Sequence, residues 1–85
     1  MGIKSSPDVV FRDLSGEAVL LNLTTGMYFG LNESGTRMWK LLLETGDREN
    51  TLVRMKVEYD ADETSLRRDL DALIEQLLEK GLLTS

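Results

Sequence analysis

The hydrophobic pattern of this chain changes its period once, close to Asn32, and this change constrains the fold more than any other feature. Residues 9–32 read VVFRDLSGEAVLLNLTTGMYFGLN, in which the turn signals LSGE and TTG separate runs of aliphatic and aromatic residues. After Asn32, leucine and methionine recur at helical spacing instead. The sequence therefore predicts an α+β domain in which a three-stranded antiparallel meander is followed by three helices.

The TTG turn sets the predicted register of the second and third strands of the meander. As a three-residue hairpin loop with Gly26 in the left-handed conformation, it places Leu23 opposite Met27. The predicted core face then carries Val19, Leu21, Leu23, Met27, Phe29 and Leu31. The predicted outer face carries Ala18, Leu20, Asn22, Tyr28, Gly30 and Asn32.

The helical half is divided by capping signals. The first helix contains Met38, Trp39, Leu41, Leu42 and Leu43 and ends at a left-handed Gly46. The second presents Leu52, Met55 and Tyr59, with Val53 and Val57 on a neighbouring stripe. The third starts near a capping Asp62, stops at Gly81 and has a main apolar seam of Leu66, Leu70, Leu73 and Leu77. An indole among leucines in so small a domain predicts that Trp39 belongs to the core rather than to a ligand pocket.

A second stripe on the third helix has two interpretations. Arg67, Asp71, Ile74 and Leu78 follow one another at the spacing that keeps residues on one helix face. The stripe is either a boundary row between core and solvent or one wall of a groove that accepts an apolar side chain and a charge. Periodicity alone favours the boundary row.

Composition limits the classes of function. With 85 residues the chain has room for one domain, which we place at residues 9–83 behind a flexible tail of residues 1–8. The absence of cysteine and histidine removes disulfides, thiolate and imidazole metal ligands and the usual catalytic nucleophile and base pairs, so few residues remain for catalysis and we expect no cofactor. A net charge of −5 disfavours nucleic acid and anionic membranes. No apolar run approaches a membrane span or a secretory signal, which predicts a soluble, cytoplasmic protein.

The third strand of the meander, MYFGL, raises a question of its own. It lies at a sheet edge, and it lacks the lysine, proline or inward charge with which soluble proteins protect such edges. Either a helix covers it, or it accepts another strand, from a peptide or from a second copy in a weak homodimer. Gly30 would allow a partner to approach closely. A winged-helix DNA-binding protein is the rival class, but its recognition helix, residues 62–80, would carry a net charge of about −3.

The segments GEAVLLNLTTGMYFGLNESGTRMWKLL, DADE and DLDALIEQLLEKGLL together resemble the PqqD-like family, the recognition elements that bind leader peptides in the biosynthesis of ribosomally made, modified peptides. The resemblance covers residues 9–83. It rests most on Leu21, Gly26, Tyr28, Leu31, Asn32, Gly35, Trp39, Asp69, Leu77, Gly81 and Leu82 at matching separations.

This resemblance implies a winged-helix-like domain that is not itself an enzyme. It implies that a precursor's leader peptide pairs antiparallel with the third strand and lies in the cleft between that strand and the third helix. The implied peptide contacts are Met27, Tyr28, Phe29, Gly30 and Leu31 on the strand, with Arg67, Leu70, Asp71, Ile74 and Leu78 on the helix. The groove interpretation of the second stripe is then favoured.

The resemblance also implies partners. A free-standing chain of this length is most similar to the leader-binding subunit of lasso-peptide biosynthesis, which serves a separate cysteine protease, the leader peptidase, and then an ATP-dependent macrocyclising enzyme. The alternative is a peptide chaperone for pyrroloquinoline quinone or another modified-peptide pathway.

Overall fold

A computed structural model describes residues 2–84 of the chain and contains a small sheet, a larger sheet and three helices. In chain order the elements are β1 (Lys4–Ser5), β2 (Val9–Leu14), β3 (Glu17–Asn22), β4 (Tyr28–Leu31), α1 (Glu33–Thr45), α2 (Arg48–Glu58), α3 (Glu63–Glu79) and β5 (Leu83–Thr84). The larger sheet is the antiparallel meander β2-β3-β4. The predicted α+β class and the order of strands before helices are therefore confirmed.

The register of β3 against β4 differs from the prediction by one residue. Leu20, not Leu21, lies opposite Phe29, and Leu21 lies opposite Tyr28. Because side chains alternate between the two faces of a strand, a one-residue shift moves the whole apolar set of that strand to the other face. The predicted core face is consequently wrong for β3.

The corrected faces follow from the burial of each side chain. On β3 the buried residues are Ala18, Leu20 and Asn22, all three of which the sequence predicted for the outer face. Of those predicted for the core, Val19 and Leu21 are half-buried, and Leu23 and Met27 are exposed. On β4 the prediction is confirmed, because Leu31 is buried, Phe29 packs against the core, and Tyr28 and Gly30 are exposed.

The hairpin loop explains the shift. The backbone N–H of Asn22 donates to the Met27 carbonyl at 2.8 Å, so this pair closes the hairpin one residue earlier than predicted. The Asn22 side-chain oxygen accepts the backbone N–H of Thr24 at 2.9 Å and that of Thr25 at 3.2 Å. Its Nδ2 donates to the Gly81 carbonyl at 2.9 Å. Buried polar groups require partners, and these bonds satisfy Asn22 on the core face.

The helix ends predicted at Gly46, Asp62 and Gly81 are confirmed, and Asn32 and Asp47 are further caps that begin α1 and α2. Asn32 and Asp62 accept backbone N–H groups at the starts of α1 and α3, and Asp47 does so for α2. Gly46 and Gly81 have φ values of 67° and 72°, the left-handed conformation that ends a helix cheaply only at glycine. The predicted helix boundaries are thus confirmed to within a residue or two.

The core lies between the larger sheet and the three helices. Trp39 is only 2% exposed, which confirms its predicted place in the core, whereas Leu43, predicted for the same helix, is 40% exposed. Truncating a buried indole to alanine costs about 3–5 kcal/mol in typical cores. The buried apolar residues are Ala18, Leu20, Leu31, Met38, Trp39, Leu41, Leu42, Leu52, Met55, Leu66, Leu70, Ile74, Leu77, Leu82 and Leu83.

Residues 3–6, which lie within the predicted flexible tail, are hydrogen-bonded to the rest of the domain. Lys4 and Ser5 form β1, which pairs antiparallel with β5 in a separate two-stranded sheet. The N–H of Ile3 donates to the Gly46 carbonyl at 2.8 Å. This segment therefore joins the end of α1 to the C-terminal strand and does not lie along β4.

Candidate functional site

The outer edge of β4 is open. β4 is the last strand of the order β2-β3-β4, and within residues 2–84 no further strand pairs with it. The Tyr28 side chain is 73% exposed, and Gly30 is exposed as well. A β-carbon added at Gly30 would meet no atom within 4 Å. The sequence allowed either a helix that covers this edge or an open edge that can accept another strand, and the structure has the open edge.

The register identifies which backbone groups face outward from β4. Asn22 and Met27 share a ladder hydrogen bond, and hydrogen-bonded pairs alternate along an antiparallel ladder. Phe29 and Leu31 therefore direct their N–H and C=O groups toward β3. Tyr28 and Gly30 direct theirs away from the sheet, where they present two donors and two acceptors to an added strand.

A cleft runs beside this edge, between the start of α1 and one flank of α3. Its main cavity has a volume of about 340 Å³. The lining residues are Asn32, Ser34, Gly35, Met38, Asp69, Ala72, Leu73 and Gln76. Asn32, which directly follows β4, lines this cavity, so the cavity adjoins the C-terminal end of β4. The cavity is large enough for a few side chains, at the low end of about 300–1,000 Å³ typical of ligand pockets.

The other end of the cleft lies at the start of β4. The Lys80 ammonium is 6.0 Å from the centre of the Phe29 ring, within the range of a cation–π contact. The bond between Asn22 and the Gly81 carbonyl holds the C-terminus of α3 against the β3–β4 hairpin. The cleft thus extends along α3 from Asp69 to Lys80. We call the α3 residues Asp69, Ala72, Leu73 and Gln76, together with Lys80 at the C-cap of α3, the cleft flank.

The helix residues predicted to contact a peptide have other surroundings. Leu70 and Ile74 are fully buried in the core. Arg67 and Asp71 face α2, where Arg67 pairs with Glu49 at 2.6 Å and Asp71 pairs with Arg48 at 3.0 Å. Leu78 is 37% exposed and lies on the same stripe. Arg67 and Asp71 therefore contact α2, and Leu70 and Ile74 contribute to the core, while the five predicted strand residues are consecutive in the chain.

The charges on the α2-facing flank hold one another ionised. The Glu49 and Glu63 carboxylates raise the pKa of Arg67. In return, the hydrogen bond from Arg67 lowers the pKa of Glu49 from its ordinary value of 4.5. Because these groups already satisfy one another, a ligand would have to break this network to use them.

Sequence reasoning missed most of the cleft flank. Leu73 was placed in the core seam, but it is only half-buried and lines the cavity. Asp69 was noted only as part of the family resemblance. Hydrophobic period locates the core side of a helix, but the two flanks of the seam are equivalent by that criterion. The one usable signal is that Leu73 is the only seam leucine with a charged residue seven positions later, at Lys80.

Other kinds of site receive no support from the described coordinates. Within residues 2–84 no three acidic, cysteine or histidine side chains come together in a way that could hold a metal ion. Over the same residues, every helix is too short or too polar to span a membrane.

The fold and the open edge define a class, a small winged-helix-like domain with an unpaired edge strand beside its third helix. The family model described as coenzyme PQQ synthesis protein D (PqqD) matches residues 17–83. The chain belongs to the PqqD family, which confirms the resemblance seen in the sequence.

Two solved structures are similar over almost the whole chain. One is TbiB1 in complex with the TbiA(beta) leader peptide, at 39% identity and a TM-score of 0.88, covering 96% of this chain and 95% of that one. The other is a lasso peptide synthetase B1 complexed with the leader peptide, at 24% identity and a TM-score of 0.87, covering 100% of both chains. No curated protein matches the sequence significantly.

Proposed function

We propose that this protein binds the leader segment of a ribosomally synthesised precursor peptide by strand addition to β4, in the cleft between β4 and α3. The observation that carries the proposal is the open β4 edge, whose outward backbone groups belong to Tyr28 and Gly30 and whose next residue in the chain, Asn32, lines a partly apolar cavity. Strand addition of this kind draws affinity from backbone hydrogen bonds and specificity from alternate side chains. The 39%-identical neighbour, whose structure is a complex with a leader peptide, supports this choice of ligand.

The peptide contacts divide into backbone and side-chain groups. An added strand would bond to the backbone of Tyr28 and Gly30 and lie beside Met27, Phe29 and Leu31. Its inward side chains would enter the cavity lined by Leu73. The helix contacts that the family resemblance implies, Arg67, Leu70, Asp71, Ile74 and Leu78, remain a prediction, and we propose the cleft flank as the helix wall in their place.

The mechanism is scaffolding rather than catalysis. Holding one extended segment raises the effective concentration of the attached core peptide near an enzyme that binds this domain. No bond has to form or break on this chain. We propose that the enzyme served first is a separate cysteine protease that removes the leader in lasso-peptide biosynthesis, and that a macrocyclising enzyme acts afterwards.

A second pathway has an observation in its favour. The matching family model carries the description of a coenzyme PQQ synthesis protein. The same edge and cleft would then present a precursor to the enzymes of that pathway. The two assignments differ in the peptide that is bound and not in the way it is bound.

The test is a titration of ¹⁵N-labelled protein with the TbiA(beta) leader peptide, followed by backbone amide shifts. We expect saturable shifts in β4 and along the cleft flank, strongest at Tyr28 and Gly30. A duplex DNA of similar length is the control ligand and should cause no shifts at physiological salt. Saturable shifts centred on β2 or on α2 instead would contradict strand addition to β4.

A further inference from the structure

Two charged side chains on the cleft flank have no ionic partner. Within residues 2–84, neither Asp69 nor Lys80 forms an ion pair, whereas Arg67 and Asp71 on the opposite flank do. Asp69 lines the cavity at the end of β4, and Lys80 stands over Phe29 at its beginning. The cleft therefore has a negative end and a positive end whose charges are free to meet a ligand.

The distance between these charges sets a spacing on an extended peptide. Lys80 lies eleven positions after Asp69, a rise of about 16 Å along the helix. An extended strand covers that distance in about five residues. Because only alternate side chains of a strand face the same side, the two peptide residues that meet these charges stand four or six positions apart.

The direction of the added strand sets the order of the charges. Antiparallel pairing is slightly more stable per residue than parallel pairing, and all strands of this sheet are antiparallel. An antiparallel peptide enters beside Asn32, where β4 ends, and leaves beside Tyr28, where β4 begins. It meets Asp69 first and Lys80 afterwards.

We propose, on the basis of the function proposed above, that the cleft selects a leader segment in which a basic residue precedes an acidic residue by four or six positions. The inward side chains between them are apolar, because they lie over Leu73 and Met38. The protein thereby reads the direction of its peptide as well as its composition. Charge complementarity of this kind mainly fixes register and rejects wrong partners.

A displayed library of random 12-residue peptides tests this without knowledge of the precursor. Binders are selected in parallel on the unaltered protein and on Gly30→Pro, and those that need Gly30 are sequenced. We expect an excess of basic residues four or six positions before acidic ones, with apolar residues at the even positions between. Gly30-dependent binders with no charge order, or with the acidic residue first, would overturn the inference and leave strand addition intact. If no binder depends on Gly30, the proposed function itself fails.

Charge reversal then tests which peptide charge pairs with Asp69 and which pairs with Lys80. For a selected peptide we expect Lys80→Glu and Asp69→Lys each to weaken binding about two- to fivefold, the range of exposed ion pairs. Reversing the matching peptide charge should restore affinity in each case. Arg68→Glu and Glu75→Lys carry the same charge changes on exposed α3 residues outside the cavity lining and serve as controls. Equal losses in the controls, or no rescue by the reversed peptide, would contradict the assignment.

Discussion

β2 and β4 are the two edges of one sheet, and they differ in how they are protected. On β2, Asp13 points to the core side of the sheet and pairs with Lys40 at 2.8 Å, while Arg12 is exposed on the outer side. Inward charges of this kind block the approach of another strand. β4 has no charged residue, and its Gly30 leaves the outer face clear.

This difference favours β4 as the edge that accepts the proposed peptide. Both strands would expose unpaired backbone groups, so both carry the same risk of unwanted pairing. The chain protects β2 and leaves β4 unprotected beside a cleft. An unprotected edge carries a risk of unwanted pairing, and the proposed peptide binding gives a reason for retaining it.

The largest expected effect comes from the strand that joins the two edges. Leu20 on β3 is fully buried, and Leu20→Ala should lower the free energy of unfolding by about 2–5 kcal/mol. Leu23→Ala is the matched variant, since Leu23 is 63% exposed, and should change it by less than about 0.5 kcal/mol. Urea denaturation measures both. If Leu23→Ala lost more stability than Leu20→Ala, the register predicted from the sequence would be correct. The outward backbone groups of β4 would then belong to other residues than Tyr28 and Gly30.

The β4 edge itself is broken by Gly30→Pro. Proline removes the outward N–H and puts its ring where a partner strand would lie, without removing a bond to β3. We expect the affinity for the TbiA(beta) leader peptide to fall at least about thirtyfold, or 2 kcal/mol, by isothermal titration calorimetry. Gly30→Ala keeps the N–H, and its β-carbon meets no neighbour, so it should bind normally. Equal binding by the proline variant would contradict strand addition.

Two leucine truncations distinguish the contributions of the two flanks of α3 to peptide binding. Leu73→Ala on the cleft flank should weaken the same peptide about five- to tenfold through lost apolar contact. Leu78→Ala on the opposite stripe should leave affinity unchanged. A loss confined to Leu78→Ala would favour the stripe that the sequence predicted. Thermal unfolding of both variants checks that the helix is intact.

The protection of β2 is removed by Asp13→Val. Without the inward charge the β2 edge should pair with a second copy, and sedimentation velocity should show dimer that increases with protein concentration. Asp13→Asn keeps an oxygen that can accept the Gly16 N–H, now at 2.9 Å, and should associate less. A monomeric valine variant would mean that Asp13 does not protect this edge.

The smallest effect is a dependence of stability on acid pH. Hydrogen bonds to Lys40 and to the Gly16 N–H lower the pKa of Asp13 from its ordinary value of 3.8. The carboxyl groups whose pKa is likewise lowered from 4.5 by ion-pair partners are Glu49, Glu58 and Glu63. The unfolded chain takes up protons at higher pH than the folded one, so stability should be full above about pH 5 and decline as the pH falls through the lowered values.

Urea midpoints measured across this range check the prediction. The sequence contains no histidine, so the midpoint should stay level from about pH 5.5 to about pH 7. Asp13→Asn should remove part of the acid decline, because one depressed carboxyl is gone. A midpoint that rises on acidification would contradict the assigned directions.

Much of the architecture follows from local patterns in the sequence. The change of period at Asn32 places the strands before the helices, and the caps at Asp62, Gly46 and Gly81 depend on side chains and backbone within one turn of each helix end. The absence of charge on β4 is likewise visible in the sequence. Interactions of this range involve neighbours along the chain, so residue types and spacing are sufficient to predict them.

Two features of the candidate site depend on contacts that are distant in the sequence. The register of β4 follows from Asn22, whose side chain bonds to the Gly81 carbonyl across 59 positions. The choice of the Asp69 and Leu73 flank as the cleft wall follows from α2, which occupies the opposite flank through Arg48 and Glu49. Local alternation is compatible with either register, and helical period with either flank. Only the packing of distant segments distinguishes them, because burial and hydrogen bonding are satisfied in one arrangement of the whole chain.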